Sequence, residues 1–330
     1  MLSEMVIVST RRIKLGLLWA GSCVLTLLIG FLAGSENHVP FVGHEEIWSI
    51  GIYEGSSALD LRASSQIENP VLTAADVTDV RANIVADPFV IGDGEQYHMF
   101  FEVWNKATGQ GDIGLAGSPD GLRWDYQQIV IDEPFHLSYP YVFRWENDYY
   151  MIPESGQDRS VRLYKATSFP HQWQLQATLL WGYDYADPSI FRHDDRWWLF
   201  VSFTRSDILR LYHADHLEGP WTEHPESPII RGDPRIARPG GRVLQVEDRL
   251  YRLTQDDYQS YGSQLRAFEI TELTPATYAE VPASEAPILT GSGAGWNATG
   301  MHHADHHFIE GRWLVYVDGR TKKTVFGWQH

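Results

Sequence analysis

Four strand starts marked by proline recur along this chain at nearly constant spacing. Pro88, Pro140, Pro188 and Pro239 follow Asp87, Tyr139, Asp187 and Arg238, at intervals of 52, 48 and 51 residues. Each start opens an apolar run, a tight turn and a second aromatic-rich run. In the first unit Asp87-Pro88-Phe89-Val90-Ile91 leads through Gly92-Asp93-Gly94 into YHMFFEVW. A fifth start near Met301-His302-His303 continues as HHFIEGRWLVYVDG. Repeats of about 40–50 residues, each with four strands, are the signature of a β-propeller. Five starts predict five blades. Ile47–Tyr53 (IWSIGIY) is a spare strand ahead of the first repeat. It is expected to complete the last blade and close the ring, leaving no open sheet edge.

Composition agrees with an all-β fold. The 13 Trp and 16 Tyr suit pleated strands, and their flat faces also suit the C–H side of a sugar ring. A net charge of −17 repels phosphate backbones, which excludes nucleic acid as a partner. The single cysteine, Cys23, excludes an intrachain disulfide and any cysteine-based zinc site.

The first forty residues read as a separate object. Leu15–Ala33 carries no charge over 19 residues, enough at about 1.5 Å per residue to span a bilayer core. Arg11, Arg12 and Lys14 precede it, whereas Glu36, Glu45 and Glu46 follow. This asymmetry predicts a cytoplasmic segment 1–14, a transmembrane signal anchor 15–33, a linker 34–44 and a propeller 45–330 outside the cytoplasm. That places the propeller in a periplasm, at a cell exterior or in a Golgi lumen. The competing reading is a cleaved signal peptide, but Phe31 stands where a small residue is wanted before Ala33.

In a propeller the first strand of each blade lines the axis, so the five starts converge. Asp87, Tyr139, Asp187, Arg238 and His302 or His303 form a polar set suited to a sugar. An Asp before proline is expected to be extended and to aim its carboxylate along the axis. The plainer alternative is that each Asp only bonds a neighbouring backbone N–H. If the site hydrolyses glycosides, Asp87 is the base and Asp187 tunes it or holds substrate. Glu154 is the first candidate acid; Glu102 is a second, read more readily as an inter-blade carboxylate. Trp296, just ahead of the fifth start, offers a ring for the sugar. On a regular strand His303, Asp305 and His307 would share one face, a set that could hold a transition metal; the plainer readings are a lone axial histidine holding a calcium–water cluster or a ligand hydroxyl, and surface histidines at the blade end. A calcium ion near the axis is the alternative; otherwise no cofactor is expected. Asn297-Ala298-Thr299 fits the N-glycosylation pattern.

The segments IWSIGIYEG, NPVLTAADVTDV, VADPFVI, EPFHLSYPYVF, YYMIPES, ADPSIF, RPGGRV, ITELT and WNATGMHHADHH span residues 47–319. Together they resemble the N-terminal β-propeller domain of the glucosamine inositolphosphorylceramide transferase family. There the propeller is joined to a C-terminal family 64 glycosyltransferase domain. The sequence stops at His330 without one, so the resemblance does not extend transferase activity to it. More distantly, the repeats are similar to the five-bladed glycoside hydrolase family 43 superfamily. That resemblance implies Asp87 as base, Asp187 as the residue tuning acidity, and His302 or His303 as the axial histidine. The superfamily's acid, a glutamate opening the fourth blade, is replaced here by Arg238-Pro239-Gly240-Gly241. Such a corner cannot protonate a leaving oxygen, and an arginine there favours an anionic or phosphorylated sugar. The expected function is a membrane-anchored propeller that binds or processes a carbohydrate or glycolipid. The alternatives are an active glycosidase, or a structural propeller docking a separately encoded glycosyltransferase.

Overall fold

A computed structural model describes residues 42–205 and 207–326. The chain divides into two units, Glu46–Thr321 and the terminal stretches 1–45 and 322–330. Of the latter only the strand ends at 42–45 and 322–326 are described. The apolar segment 15–33 lies outside the described residues. Among the described residues no helix is long and apolar enough to cross a membrane.

The unit Glu46–Thr321 is a five-bladed propeller of antiparallel sheets. Blade one consists of Ala82–Gly92, Tyr97–Asn105, Gln110–Ser118 and Asp125–Ile131. Blade two runs through Ser138–Trp145, Asp148–Ser155, Ser160–Ser168 and Gln172–Trp181. Blade three holds Tyr185–His193, Arg196–Phe203 and Ile208–Ala214, with Thr222–Glu223 and Ile230–Arg231 sharing its outer edge. Blade four is built on Arg249–Asp256, Gln264–Leu273 and Tyr278–Pro282. Its innermost strand is split into Arg238–Pro239 and Leu244–Val246, not continuous as the repeat suggested. Blade five pairs Ala304–Ile309 with Arg312–Phe326 and is completed by Val42–Ser57 and Asp60–Ala63. The spare strand therefore closes the ring as expected, and a second short strand follows it.

Burial explains why the strands differ in sequence. The innermost strand Tyr185–His193 is buried on both faces over its first seven residues, so it reads as an unbroken run rather than an alternation. The outermost strand Gln172–Trp181 is largely exposed and carries Gln at three positions. The core is divided among the seams between blades. Phe89, Leu137 and Ile152 lie in one seam, Ile50, Phe101 and Tyr316 in a second, Leu253 and Val315 in a third, and Phe200 and Ile270 in a fourth. The hairpins after the inner strands use left-handed residues: Glu146, Asp194, Asp195, Glu247 and Glu310 all have positive φ.

The break in blade four is used for stitching. Tyr139 of blade two accepts the Gly241 N–H at 2.7 Å and bonds the Gly241 carbonyl at 2.9 Å. Ser189 of blade three donates to the same carbonyl, and Ala304 of blade five donates to the Gly240 carbonyl at 3.0 Å. Gly241 has φ +144, and a Cβ there would overlap the Ala304 carbonyl oxygen. Gly241→Ala is expected to lower unfolding free energy by at least about 2 kcal/mol. Gly109→Ala, also at positive φ but in open space, should cost only about 1–2 kcal/mol. Chemical denaturation of the two variants checks the difference.

Candidate functional site

The starts of blades one to three share one backbone device. Asp87, Tyr139 and Asp187 have φ of 54°, 46° and 47°. Each sits in a register shift between its inner strand and the next: Ala86/Phe89, Ser138/Tyr141 and Ala186/Ser189. These residues are therefore left-handed rather than extended, because a bulge reorients the chain at the proline. Left-handed non-glycine residues cost roughly 1–3 kcal/mol each and persist only where their surroundings fix them. Carboxylates of neighbouring blades do the fixing. Asp318 accepts the Asp87 N–H at 3.1 Å, Asp87 accepts the Tyr139 N–H at 3.2 Å, and Glu154 accepts the Asp187 N–H at 3.1 Å.

Two ionic nodes follow. In the first, Asp318 is fully buried and also accepts the backbone N–H groups of His302 and His303, each at 3.1 Å. His302 Nδ1 lies 2.8 Å from Asp318 in an ionic contact that is not a well-aligned hydrogen bond. Burial opposes the imidazolium charge, but Asp318 and then Asp87 outweigh it and raise His302 to about 9. Asp87 lies 3.9 Å from both His302 Nε2 and His303 Nδ1. Burial, aided by repulsion from Asp318 and opposed by His302, pushes Asp87 up to about 7. His303 is held neutral by burial, at about 4, with Nε2 2.9 Å from the Pro88 carbonyl.

In the second node Arg238 bonds Asp187 at 2.5 Å and Glu154 at 3.3 Å. Gln255 donates to Asp187 at 2.6 Å. One guanidinium thus serves two carboxylates, with Asp187 the closer partner. Burial and the charge of Asp187 outweigh Arg238 and hold Glu154 well above the usual carboxylate range.

Above these nodes opens a cavity of about 210 Å³, walled by Glu102, Trp104, His136, Glu154, Arg238, Tyr261, Trp48 and His302. Asp87 and Asp187, 5% and 1% exposed, lie behind this wall. Trp48 stacks on His302 at 4.2 Å, and Tyr261 meets the same imidazole edge-on at 5.2 Å. Among the described residues no hydrogen-bond donor engages Glu102, and the uncharged His136 ring places Nε2 3.9 Å from its carboxyl. Burial, and then Asp87 and Glu154, hold its carboxyl well above the ordinary range. Glu102 is thus a cavity residue, not the satisfied inter-blade carboxylate that its depth in the repeat suggested.

Other expected ligand groups lie elsewhere. Tyr139 is fully buried with its hydroxyl committed to Ser189 and Gly241. Trp296 lies against the backbone of blade five, where a Cβ on Gly51 would stand 2.5 Å from its ring. Asn297 is buried and its amide donates to the Tyr53 hydroxyl at 3.0 Å, so the glycosylation triplet presents no free acceptor. His303 and His302 precede the strand, which begins at Ala304, so the regular alternation starts too late to build the facing metal set. Asp305 bonds Arg242 at 2.5 Å and His307 at 2.9 Å, and His306 reaches the Ala58 carbonyl at 3.0 Å. The ligand atoms that do converge belong to Asp87, His302 and Asp318, within 4.8 Å of one another. They suit calcium poorly, since it takes six to eight oxygens and Asp318 already serves three N–H groups and an imidazole.

Sequence reasoning missed Asp318, Gln255, Trp48, Trp104, His136 and Tyr261. A lone acid inside the apolar run LVYVDG was a signal for Asp318, and the histidine directly ahead of the second start was one for His136. Tyr261 sits in a loop with no pattern to mark it.

Five radial antiparallel sheets around a polar axial cavity define a five-bladed β-propeller. The fold matches an α-L-arabinanase of Cellvibrio cellulosa, solved with arabinohexaose, at a TM-score of 0.53 and 15% identity, covering 75% of this chain and 96% of that one. Residues 42–320 match the family described as glucosamine inositolphosphorylceramide transferase 1, N-terminal, and the chain belongs to that family. Glucosamine inositolphosphorylceramide transferase 1 of Oryza sativa subsp. japonica is 38% identical over 86% of this chain, and that of Arabidopsis thaliana 33% over 84%. The chain spans 42% and 39% of those two proteins.

His302 gains affinity for its proton on folding. The stability this supplies is fully present below pH about 6.5 and is lost as pH rises through about 9. Urea unfolding between pH 7 and 9.5 should show that decline, and Asp318→Asn should flatten it.

Proposed function

We propose that the propeller is a carbohydrate-binding module whose axial cavity holds one uncharged sugar residue. The observation that carries this reading is the commitment of Arg238. Its guanidinium is shared between Asp187 and Glu154, so it supports neither the acid of a hydrolase nor the anionic or phosphorylated sugar expected from its identity alone. Beyond Arg238 and His302, whose charge is held by Asp318, the wall offers amphipathic groups: indole and phenol faces, an uncharged His136 and the Glu102 carboxyl, held well above the ordinary carboxylate range. The volume, below the roughly 300–1,000 Å³ typical of drug-sized sites, suits a single ring. The relatives are named for glucosamine transfer to a ceramide lipid, and their greater length leaves room for a separate catalytic domain. The module therefore holds a glycan or glycolipid headgroup beside a glycosyltransferase, tethered to a membrane through 15–33, with the propeller on the extracytoplasmic side.

One observation favours a second reading. Glu102 faces the cavity with a proton to give, and Asp87 titrates near neutrality behind it, an acid and a base in one site. Both readings are tested with the full chain in detergent micelles on an array of neutral and anionic glycans. Binding to neutral glycans, weakened about tenfold or more by Trp104→Ala and without sugar release, is the expected result. Binding confined to anionic glycans would overturn it. Sugar release abolished by Glu102→Gln would replace binding with hydrolysis.

A further inference from the structure

The rim of the cavity contains a donor–acceptor pair that neither ionic node uses. Glu102 and Trp104 project from the same face of the strand Tyr97–Asn105, two residues apart. His136 faces them from the loop entering blade two. That loop is fastened to blade one, because the Leu137 N–H donates to the Gly111 carbonyl at 2.9 Å. The Gly111 N–H in turn donates to His136 Nδ1 at 2.8 Å. Accepting at Nδ1 fixes the tautomer, so the neutral ring carries its proton on Nε2. Burial and then the charge of Arg238 keep that ring neutral, at about 4.

His136 Nε2 and Glu102 Oε1 are 3.9 Å apart. This is too far for a direct hydrogen bond and suits a single oxygen bonded to both. The gap depends on Gly111, where a Cβ would stand 2.7 Å from His136 Cε1 and 2.9 Å from Glu102 Oε1. The absent side chain is what lets the two groups face each other across open space. Trp104 flanks them, its ring centroid 5.6 Å from that of His136.

We propose that Glu102 and His136 form a subsite that reads one free hydroxyl of a sugar whose ring lies on Trp104. The inference rests on the carbohydrate-binding reading above and names the group the site selects. A hydroxyl accepts from His136 Nε2–H and also exchanges a hydrogen bond with the Glu102 carboxyl. An ammonium would aim an N–H at the Nε2–H. An oxyanion would enter a half-buried site whose cations, Arg238 and His302, are already held by carboxylates. A deoxy sugar leaves both protein groups without a partner, a loss that falls on a half-buried pair.

The test titrates the full chain in micelles with methyl glycosides of glucose, galactose, mannose, xylose and arabinose, and with their monodeoxy analogues. His136→Asn keeps an acceptor for the Gly111 N–H and removes the Nε2–H, while Glu102→Leu removes the carboxyl. Each should raise the Kd of the tightest methyl glycoside about tenfold or more. The double variant should add no more than about threefold, because both residues serve one hydroxyl. One monodeoxy analogue should bind wild type and His136→Asn equally. If the glycoside binds wild type and both variants alike, the subsite is wrong and the carbohydrate reading stands. If no methyl glycoside binds wild type, both fall. Should a variant fail to fold by circular dichroism, the wild-type monodeoxy series decides alone: a loss of less than threefold at every position overturns the proposal.

Discussion

Carboxylates that reach from one blade to the backbone of the next hold this propeller's axis together. Asp318 of blade five holds Asp87, Asp87 of blade one holds Tyr139, and Glu154 of blade two holds Asp187. Each N–H belongs to a residue with left-handed φ, a conformation that the residue would not keep by itself. Asp318, held ionised against burial mainly by His302, makes charge-assisted hydrogen bonds roughly twice as strong as a neutral pair, and leaving any of these N–H groups unpaired in the interior would be costly. The acids at the axis are therefore scaffold before they are chemistry. This is why Asp87 and Asp187 lie behind the cavity wall.

That scaffold sets the electrostatics of the cavity. Arg238 and His302 are the cations of the cavity wall, and each is held by carboxylates. Acids beyond that supply cannot all ionise in a buried setting, so Glu102 and Glu154 hold protons and Asp87 titrates near neutrality. The wall facing a ligand is accordingly less charged than its residue list implies. A strongly acidic protein thus presents a recognition surface lined by two indoles, a phenol and two imidazoles, its cations paired with carboxylates.

The ring, its blade boundaries and its closure by Ile47–Tyr53 were legible because they depend on spacing and alternation, which a sequence displays directly. The roles of individual starts were not. Tyr139 and Asp87 occupy equivalent repeat positions, yet one is a buried keystone for Gly241 and the other an ionisable node, a difference set by neighbours 100 or more residues away. The run from His302 to His307 suggested a shared face, but the strand begins at Ala304: only Asp305 and His307 meet, while the Pro88 carbonyl claims His303 and the Ala58 carbonyl claims His306. Arg238 looked like an anion receptor because its two counter-ions come from blades two and three. His136 and Glu102 meet only because Gly111, on a third strand, lacks a side chain.

Blade five joins the earliest of the described strands to the last. Val42–Ser57 must wait beside Arg312–Phe326 until some 250 intervening residues have been made. During that interval blades one to four can form hairpin by hairpin, but two sheet flanks stay bare, and contacts of such long range form slowly. Nascent chains of this design are thus exposed to edge-to-edge association until translation passes Phe326.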